Sequence, residues 1–351
     1  MELNPAKTKL MVEIRENEDL TRLNSFGITA KAAYYCEIRS IKDLQELITD
    51  PVFRQNPFLI LGGGSNILFT GDFKGLVIHP VLKGIDRIET KDPDQILIRA
   101  ASGENWHGLV EYCVEQNLGG IENLALIPGN CGAAPIQNIG AYGRELADVL
   151  DCVDTIDLRN GNYKRFSAQE CQLGYRDSIF KQPEGRFFFI SSITLRLSTK
   201  NHIIESSYGA LQSILPAKNS EQHTIADIYN AVVEIRKTKL PDPQITGNAG
   251  SFFKNPVINK DSLDALKSIH PEIPSYNTDN QHFKIPAAWL IEKAGWKGKQ
   301  KGPVGIHALQ ALVIINSGGA SGKQILDFSE DVKRDVKTKF GVTLEREVNA
   351  V

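Results

Sequence analysis

The sequence predicts an α+β chain of more than one domain, and three observations carry that expectation. Short apolar runs bounded by glycine alternate with segments of helical period. The 351 residues exceed the usual size of a single domain. The pattern breaks at residues 198–224, where polar residues gather around Ser206, Ser207 and Tyr208, and it resumes with a different character. A boundary near residues 200–235 follows, with no internal repeats.

Taken in order, FLILGGGSNILF (58–69) reads as a strand, a turn at Gly62, Gly63 and Gly64, and a second apolar segment. GLVIHP (75–80) and QILIRAA (95–101) are further strands. Trp106, Leu109, Val110, Cys113 and Val114 fall at helical spacing, which predicts a helix stopped by Gly119 and Gly120. IPGNCGAAPIQNIGAYG (127–143) shows neither period, holds two prolines and carries no charge. A loop of that length and polarity is expected to wrap around something. VDTIDL and YKRFS flank Asn160 and Gly161 and predict a hairpin, and FFFISSITLRL (187–197) is another strand.

Beyond the break, Ile225, Ile228, Tyr229 and Val232 predict a helix that ends at Leu240, before Pro241. Helical and strand patterns then alternate through DSLDALKSIHP, PAAWLIEKAG and ALVIINS. A last helix over 322–340 is apolar at Ile325, Phe328, Val332, Val336 and Phe340 and is closed by Gly341. In a final strand, Val342, Leu344 and Val348 share one face, and Thr343, Glu345 and Glu347 the other.

Composition narrows the function classes. A net charge of -2 argues against a nucleic-acid or membrane surface as partner. Cys36, Cys113, Cys131, Cys152 and Cys171 form an odd set without a CxxC pair, which speaks against a zinc site and a disulfide framework. A reducing cytoplasm is the expected location. Glu2, Glu13, Glu16 and Glu18 interrupt the apolar residues of the N-terminal stretch, so no signal-peptide core is expected there. No apolar run approaches the roughly 20 residues needed to cross a bilayer. His107 and His307 lack an HExxH or HxH partner, and no metal is expected.

Three short stretches carry the chemistry: GYRDSIF (174–180), GNAGSFFKNP (247–256) and LEREV (344–348). They offer Arg176, Ser251 and Glu347, a set able to hold an anion and donate a proton. Each also has a plain reading: Arg176 as an ion pair with Asp177, Ser251 as a turn cap, Glu347 as a solvated strand face. The turn at Gly62, Gly63 and Gly64, with Ser65 and Asn66 beside it, lets backbone amides approach an anion. A GxGxxG fingerprint begun at Gly62 would need glycine at 67, where Ile67 stands, so a Rossmann site is not supported. Two glycine-rich loops in one domain suit a large, flat cofactor that bears phosphates.

These stretches resemble the UDP-N-acetylenolpyruvoylglucosamine reductase family, flavoenzymes of the second committed step in bacterial peptidoglycan precursor synthesis. The resemblance runs through NSFGI (24–28), LGGGSNILF (61–69), GENWHGLV (103–110), GIENLALIPG (120–129) and PIQNIGAYG (135–143). It continues in GYRDSIF, TKLPDP (238–243), GNAGSFFKNP and the ALVIIN that follows Gln310. SSYGAL, around Tyr208, resembles the type in which a tyrosine loop closes over the substrate.

The resemblance implies a vanillyl-alcohol-oxidase/PCMH-type FAD-binding domain at 18–200 and a tyrosine loop with a connecting helix at 201–235. A smaller α+β substrate-binding domain at 236–341 and a C-terminal strand at 342–351, packed near the N-terminal region, would follow. FAD would be held noncovalently by Gly62, Gly63, Gly64, Ser65 and Asn66, and by Ile127, Pro128, Gly129, Asn138, Gly140, Ala141, Tyr142 and Gly143. NADPH would be the reductant and UDP-N-acetylglucosamine enolpyruvate the substrate, in a monomeric cytoplasmic enzyme. Hydride would pass from flavin N5 to C3, and Ser251 would give the proton to C2. Arg176 and Glu347 would polarise the substrate carboxylate. Tyr175, Tyr208, Arg236, Lys239, Asn255 and Gln310 would bind the substrate. Asn349 stands where the family carries arginine. Two rival readings are a flavin oxidase of the same superfamily, which would use oxygen, and a UDP-sugar-binding protein without turnover.

Overall fold

The structure is a computed structural model, and it describes residues 12–215, 223–279 and 281–351. The N-terminal stretch read above for a signal peptide lies largely outside these residues, as does the 216–222 part of the tyrosine-loop segment. Two compact units divide the chain. The first holds residues 12–18, Ala32–Gly63 and Phe73–Val233, and the second Asp19–Lys31, Gly64–Asp72 and Glu234–Val351.

In the first unit, one four-stranded sheet runs in the order Ile14–Asp19, Lys31–Ile38, Phe73–Pro80, Phe58–Ile60. Phe73–Pro80 is parallel to both of its neighbours. The second sheet is a five-stranded antiparallel one, in the order Tyr163–Ser167, Leu150–Asp157, Phe188–Ser198, Gln95–Ala101, Ile85–Glu89. Cys36, Ile38, Leu76 and Ile78 of the first sheet share one buried cluster with Ile156, Leu158 and Phe189, and with Leu44 and Leu47 of helix Ile41–Leu47. Alternation along the strands turns every second residue into this layer, which is why the sequence reads with period two.

Helix Trp106–Glu115 buries Trp106, Leu109, Val110 and Cys113, the face expected from spacing. Its stop differs from expectation: Asn117 takes the left-handed conformation (φ 53), two residues before Gly119. Asparagine adopts that region more readily than other side chains. The hairpin turns where expected, with Gly161 at φ 77 and its N–H donating to the Asp157 carbonyl at 2.7 Å.

The second unit is built on the sheet Gly247–Ser251, Val313–Asn316, Val304–Ile306, Gln300–Lys301, with a three-stranded sheet of Val257–Asn259, His282–Lys284 and Tyr276–Asn277. Helix Gly322–Phe340 has the expected span and buried face, a Ser321/Gln324 capping box and a left-handed Gly341. Residues 19–31 belong here: Ser25 O accepts from Asn248 N at 3.0 Å and Phe26 O from Asn316 Nδ2 at 2.9 Å. The expected first domain, 18–200, is interrupted in this division: 19–31 and 64–72 fall in the second unit, and the first unit runs on to Val233, so the division falls inside helix Ile225–Lys239, two residues from the expected boundary at 235/236.

Among the described residues, no helix is long and apolar enough to cross a membrane. All five cysteines are free and buried. Burial pushes the thiols of Cys36, Cys113 and Cys171 up to about 12, and those of Cys131 and Cys152 upward as well. Since the thiolate is the reactive form, a disulfide-exchange reagent at neutral pH is expected to label none of the five in the folded protein. All five should react in denaturant, and a thiol titration with and without urea checks this.

Candidate active site

In the first unit the glycine turn and the long loop touch through their backbones. A Cβ on Gly63 would lie 2.8 Å from Gly129 Cα, and one on Gly62 would lie 3.3 Å from Ala133 Cβ. Only glycine at 63 permits that approach. The long loop is tied to the start of helix Trp106–Glu115, where Gly129 O accepts from Trp106 N at 3.0 Å and Cys131 N donates to Glu104 O at 2.8 Å. Among the described residues, the amides of Gly62, Gly63 and Gly129 donate to no protein acceptor. Gly64, Ser65 and Asn66 belong to the second unit.

The long loop ends in a small hairpin, Gly140–Ala141 paired with Arg144–Glu145, whose turn residues Tyr142 and Gly143 have φ 49 and 87. Against it lies the segment that carries Tyr208. Arg144 Nη2 donates to Ile203 O at 2.8 Å, and the rings of Tyr142 and Tyr208 meet edge to face with centroids 5.5 Å apart. Asn123, fully buried, donates from Nδ2 to both Tyr142 O and Glu205 O at 2.9 Å. Sequence reasoning gave Asn123 no role. The available signal was an asparagine set in the apolar stretch NLALIP.

Arg176 sits in a two-residue turn closed by reciprocal bonds between Gly174 and Asp177 at 3.0 and 3.2 Å. Its φ of 54 is left-handed, a conformation that costs a non-glycine residue roughly 1–2 kcal/mol. The guanidinium turns onto the hairpin: Nη2 donates to Gly140 O at 2.8 Å, Nη1 is 3.5 Å from Asn138 O, and Cζ lies 5.5 Å from the Tyr175 ring centroid.

In the second unit, Ser251 ends strand Gly247–Ser251 at an irregularity in its register with Val313–Asn316. Gly250 is left-handed there (φ 66), and its N–H donates to Asn248 Oδ1 at 3.0 Å. Such a bulge re-aims a side chain: Ser251 is exposed while Phe252 and Phe253 fill the core, Phe252 against Phe26. The two aromatics thus support the serine from beneath and do not enclose it.

The segment carrying Glu347 runs beside Ser251. Glu347 N donates to Phe252 O at 2.9 Å, and Lys254 N donates to Glu345 O at 2.9 Å. The expected final strand is not regular. Residues 342–348 form an extended segment with one isolated bridge, Phe253 to Arg346, and only Asn349–Ala350 pairs, parallel to Ile67–Leu68. Asn66 Nδ2 donates to Glu347 O at 3.2 Å, while Asn349 Nδ2 donates to Asn66 O at 3.1 Å. Periodicity treats Glu345 and Glu347 alike, but the structure separates them. Glu345 is 77% exposed and 3.8 Å from Lys254 Nζ, and Glu347 is half-buried.

The remaining expected binding residues spread over both units. Tyr175 and Tyr208 are in the first; Arg236, Lys239, Asn255 and Gln310 are in the second. Arg236 and Lys239 lie one turn apart on helix Ile225–Lys239, half-buried and exposed respectively. Asn255 Oδ1 accepts from Ala287 N at 2.9 Å, and Gln310 Oε1 lies 3.4 Å from Leu312 N.

Comparison with known proteins gives a consistent result. Residues 32–167 match the FAD binding domain family, and 242–351 match the C-terminal domain of UDP-N-acetylenolpyruvoylglucosamine reductase. The chain is 44% identical over 340 residues to the reductase of that name from Amoebophilus asiaticus, covering 97% of this chain and 100% of that one. It is 44% identical over 339 residues to the Chromobacterium violaceum reductase, covering 96% and 99%. The crystal structure of the Thermus caldophilus reductase superposes with a TM-score of 0.64 at 22% identity, covering 97% of this chain and 98% of that one. The fold is therefore a PCMH-type FAD-binding domain joined to a smaller α+β domain, and the chain belongs to the UDP-N-acetylenolpyruvoylglucosamine reductase family of oxidoreductases.

Proposed function

We propose that this chain reduces UDP-N-acetylglucosamine enolpyruvate to UDP-N-acetylmuramate in the cytoplasm, with NADPH as reductant and noncovalent FAD. The observation that carries the reading is 44% identity to a reductase of that name across 97% of this chain and all of that one.

The residues present fit FAD. Unused amides at Gly62, Gly63 and Gly129 are donors for a pyrophosphate, and the close backbone approach at Gly63 leaves no room for a side chain there. Gly64, Ser65, Asn66, Ile127, Pro128, Asn138, Gly140, Ala141, Tyr142 and Gly143 would supply the rest of the contacts. When bound, FAD supplies a hydride at N5 for C3 of the enolpyruvyl group.

Hydride addition at C3 leaves negative charge on C2 and its carboxylate, and donors aimed in advance at that charge lower the barrier. Arg176 fills this role as a fixed cation, anchored through Nη2 to the Gly140 carbonyl. Glu347, in protonated form, donates to the same carboxylate. Ser251 Oγ–H protonates C2 and recovers its proton from water. Tyr175 and Tyr208 hold the sugar portion, while Arg236, Lys239, Asn255 and Gln310 hold the diphosphate.

The purified protein is expected to be yellow and to consume NADPH only when the enolpyruvyl sugar is present. The product should be heavier than the substrate by the mass of two hydrogens in mass spectrometry. Consumption of NADPH that needs oxygen and ignores the sugar would favour the oxidase reading.

A further inference from the structure

We propose that Asn138 is the positioning residue for Arg176, its side-chain amide fixing the distance between the arginine's turn and the carbonyls that hold the guanidinium. The proposal rests on the role given to Arg176 above. Asn138 is fully buried and left-handed, with φ 44. Both Nδ2 donors and one of the two Oδ1 lone pairs of its side chain are used inside the first unit. Nδ2 donates to Gly174 O at 3.0 Å and to Glu145 Oε2 at 2.8 Å, while Oδ1 accepts from Ala147 N at 2.9 Å. Two acceptors face Nδ2 and one donor faces Oδ1, so the amide orientation is fixed by its neighbours.

The placement of these bonds gives them a function. Gly174 opens the turn that holds Arg176 in its left-handed conformation. Glu145 is the residue paired with Gly140 in the hairpin, and the Gly140 carbonyl receives Arg176 Nη2. The Asn138 backbone carbonyl is the second oxygen facing the guanidinium, at 3.5 Å from Nη1. One side chain therefore links the base of the arginine to the oxygens at its tip. Space is tight as well: a Cβ on Gly140 would meet Glu145 Cγ at 2.8 Å and Arg176 Nη1 at 3.2 Å.

The test is a double-mutant cycle. Asn138→Asp keeps the shape, removes both donors and sets a carboxylate against Glu145. Misplacing a catalytic cation by about 1 Å costs up to the order of a hundredfold. Asn138→Asp is therefore expected to slow reoxidation of the NADPH-bleached protein by the enolpyruvyl sugar by about tenfold to a hundredfold. NADPH bleaching and the FAD dissociation constant should stay at parental values. In an Arg176→Ala background the same change should add less than about twofold. Glu145→Gln, which keeps an acceptor for Asn138, should behave as the parent. The 15N resonance of Arg176 Nε–H gives a readout independent of turnover. It should shift or broaden in Asn138→Asp and not in Glu145→Gln.

An equal loss with and without Arg176, or an unmoved Arg176 resonance, overturns the proposal. So does a rate loss that follows weakened FAD binding, since Asn138 would then support only the loop. If Asn138→Asp fails to fold, Glu145→Ala breaks the same link and is judged by the same criteria. A parent protein that binds FAD but ignores the sugar counts against the proposed function, and the resonance test still decides the role of Asn138.

Discussion

Ser251→Ala is expected to leave bleaching by NADPH within about twofold of the parent and to slow recovery of colour by the enolpyruvyl sugar by on the order of a hundredfold or more. In the proposed mechanism the two half-reactions call on different residues. Reduction by NADPH needs no proton on carbon, so a hydroxyl at position 251 has nothing to do in it. Protonation of C2 does need a donor, and the bulge at Gly250 turns this hydroxyl outward while Phe252 and Phe253 anchor the strand beneath. Removing Oγ takes away one exposed atom and leaves the core packing intact, so the melting temperature should not move. Stopped-flow absorbance of the two half-reactions measures both numbers, and equal recovery in mutant and parent would remove Ser251 from the mechanism.

Gly64→Val is the substitution expected to damage the fold most. Gly64 has φ +65, and a Cβ there would stand 1.9 Å from Leu23 O and 3.0 Å from Asn24 Cα. Both obstacles are backbone, so no side chain can swing aside. Moving residues 23–24 would also strain the bond from Ser25 N to Gly64 O, 3.0 Å long. The loss should exceed about 4 kcal/mol, beyond the usual range for point mutants. Gly27 gives the internal control: it is equally left-handed (φ +64), and a Cβ added there would meet nothing within 4 Å. Gly27→Ala should cost only the conformational penalty of roughly 1–2 kcal/mol. Urea unfolding of both variants measures the difference, and similar midpoints would show that the close approach at Leu23 does not matter.

What the sequence revealed and what it hid follow from the range of the interactions. Helices such as Gly322–Phe340 were legible because spacing, Ser321 and Gly341 are all local signals. The exchange of segments between units was not. Thr70 donates to Val351 O across 281 positions, and the Asn349–Ala350 strand pairs with Ile67–Leu68. No periodicity records such a pairing.

At the candidate site the sequence offered candidate residue types, and the contacts that support those side chains were not legible in it. Arg176 carries no sequence mark of a left-handed turn, and Asn138 stood in the glycine-rich loop as one more candidate for contact with the cofactor. Its buried bonds to Gly174 and Glu145 became visible only in the folded unit. Glu347 and Glu345 were indistinguishable by period, because the extended segment that separates their exposure is not a regular strand. Regular alternation failed at Arg346, which is exposed where Val342, Leu344 and Val348 are buried.

The central claim is that electrons from NADPH pass through bound flavin to the enolpyruvyl double bond. The most direct measurement bleaches the yellow protein with one equivalent of NADPH under argon and then adds UDP-N-acetylglucosamine enolpyruvate. Full return of the flavin absorbance, with one equivalent of UDP-N-acetylmuramate formed, is the predicted result. A protein that stays bleached with the sugar and regains its colour only in air would contradict it.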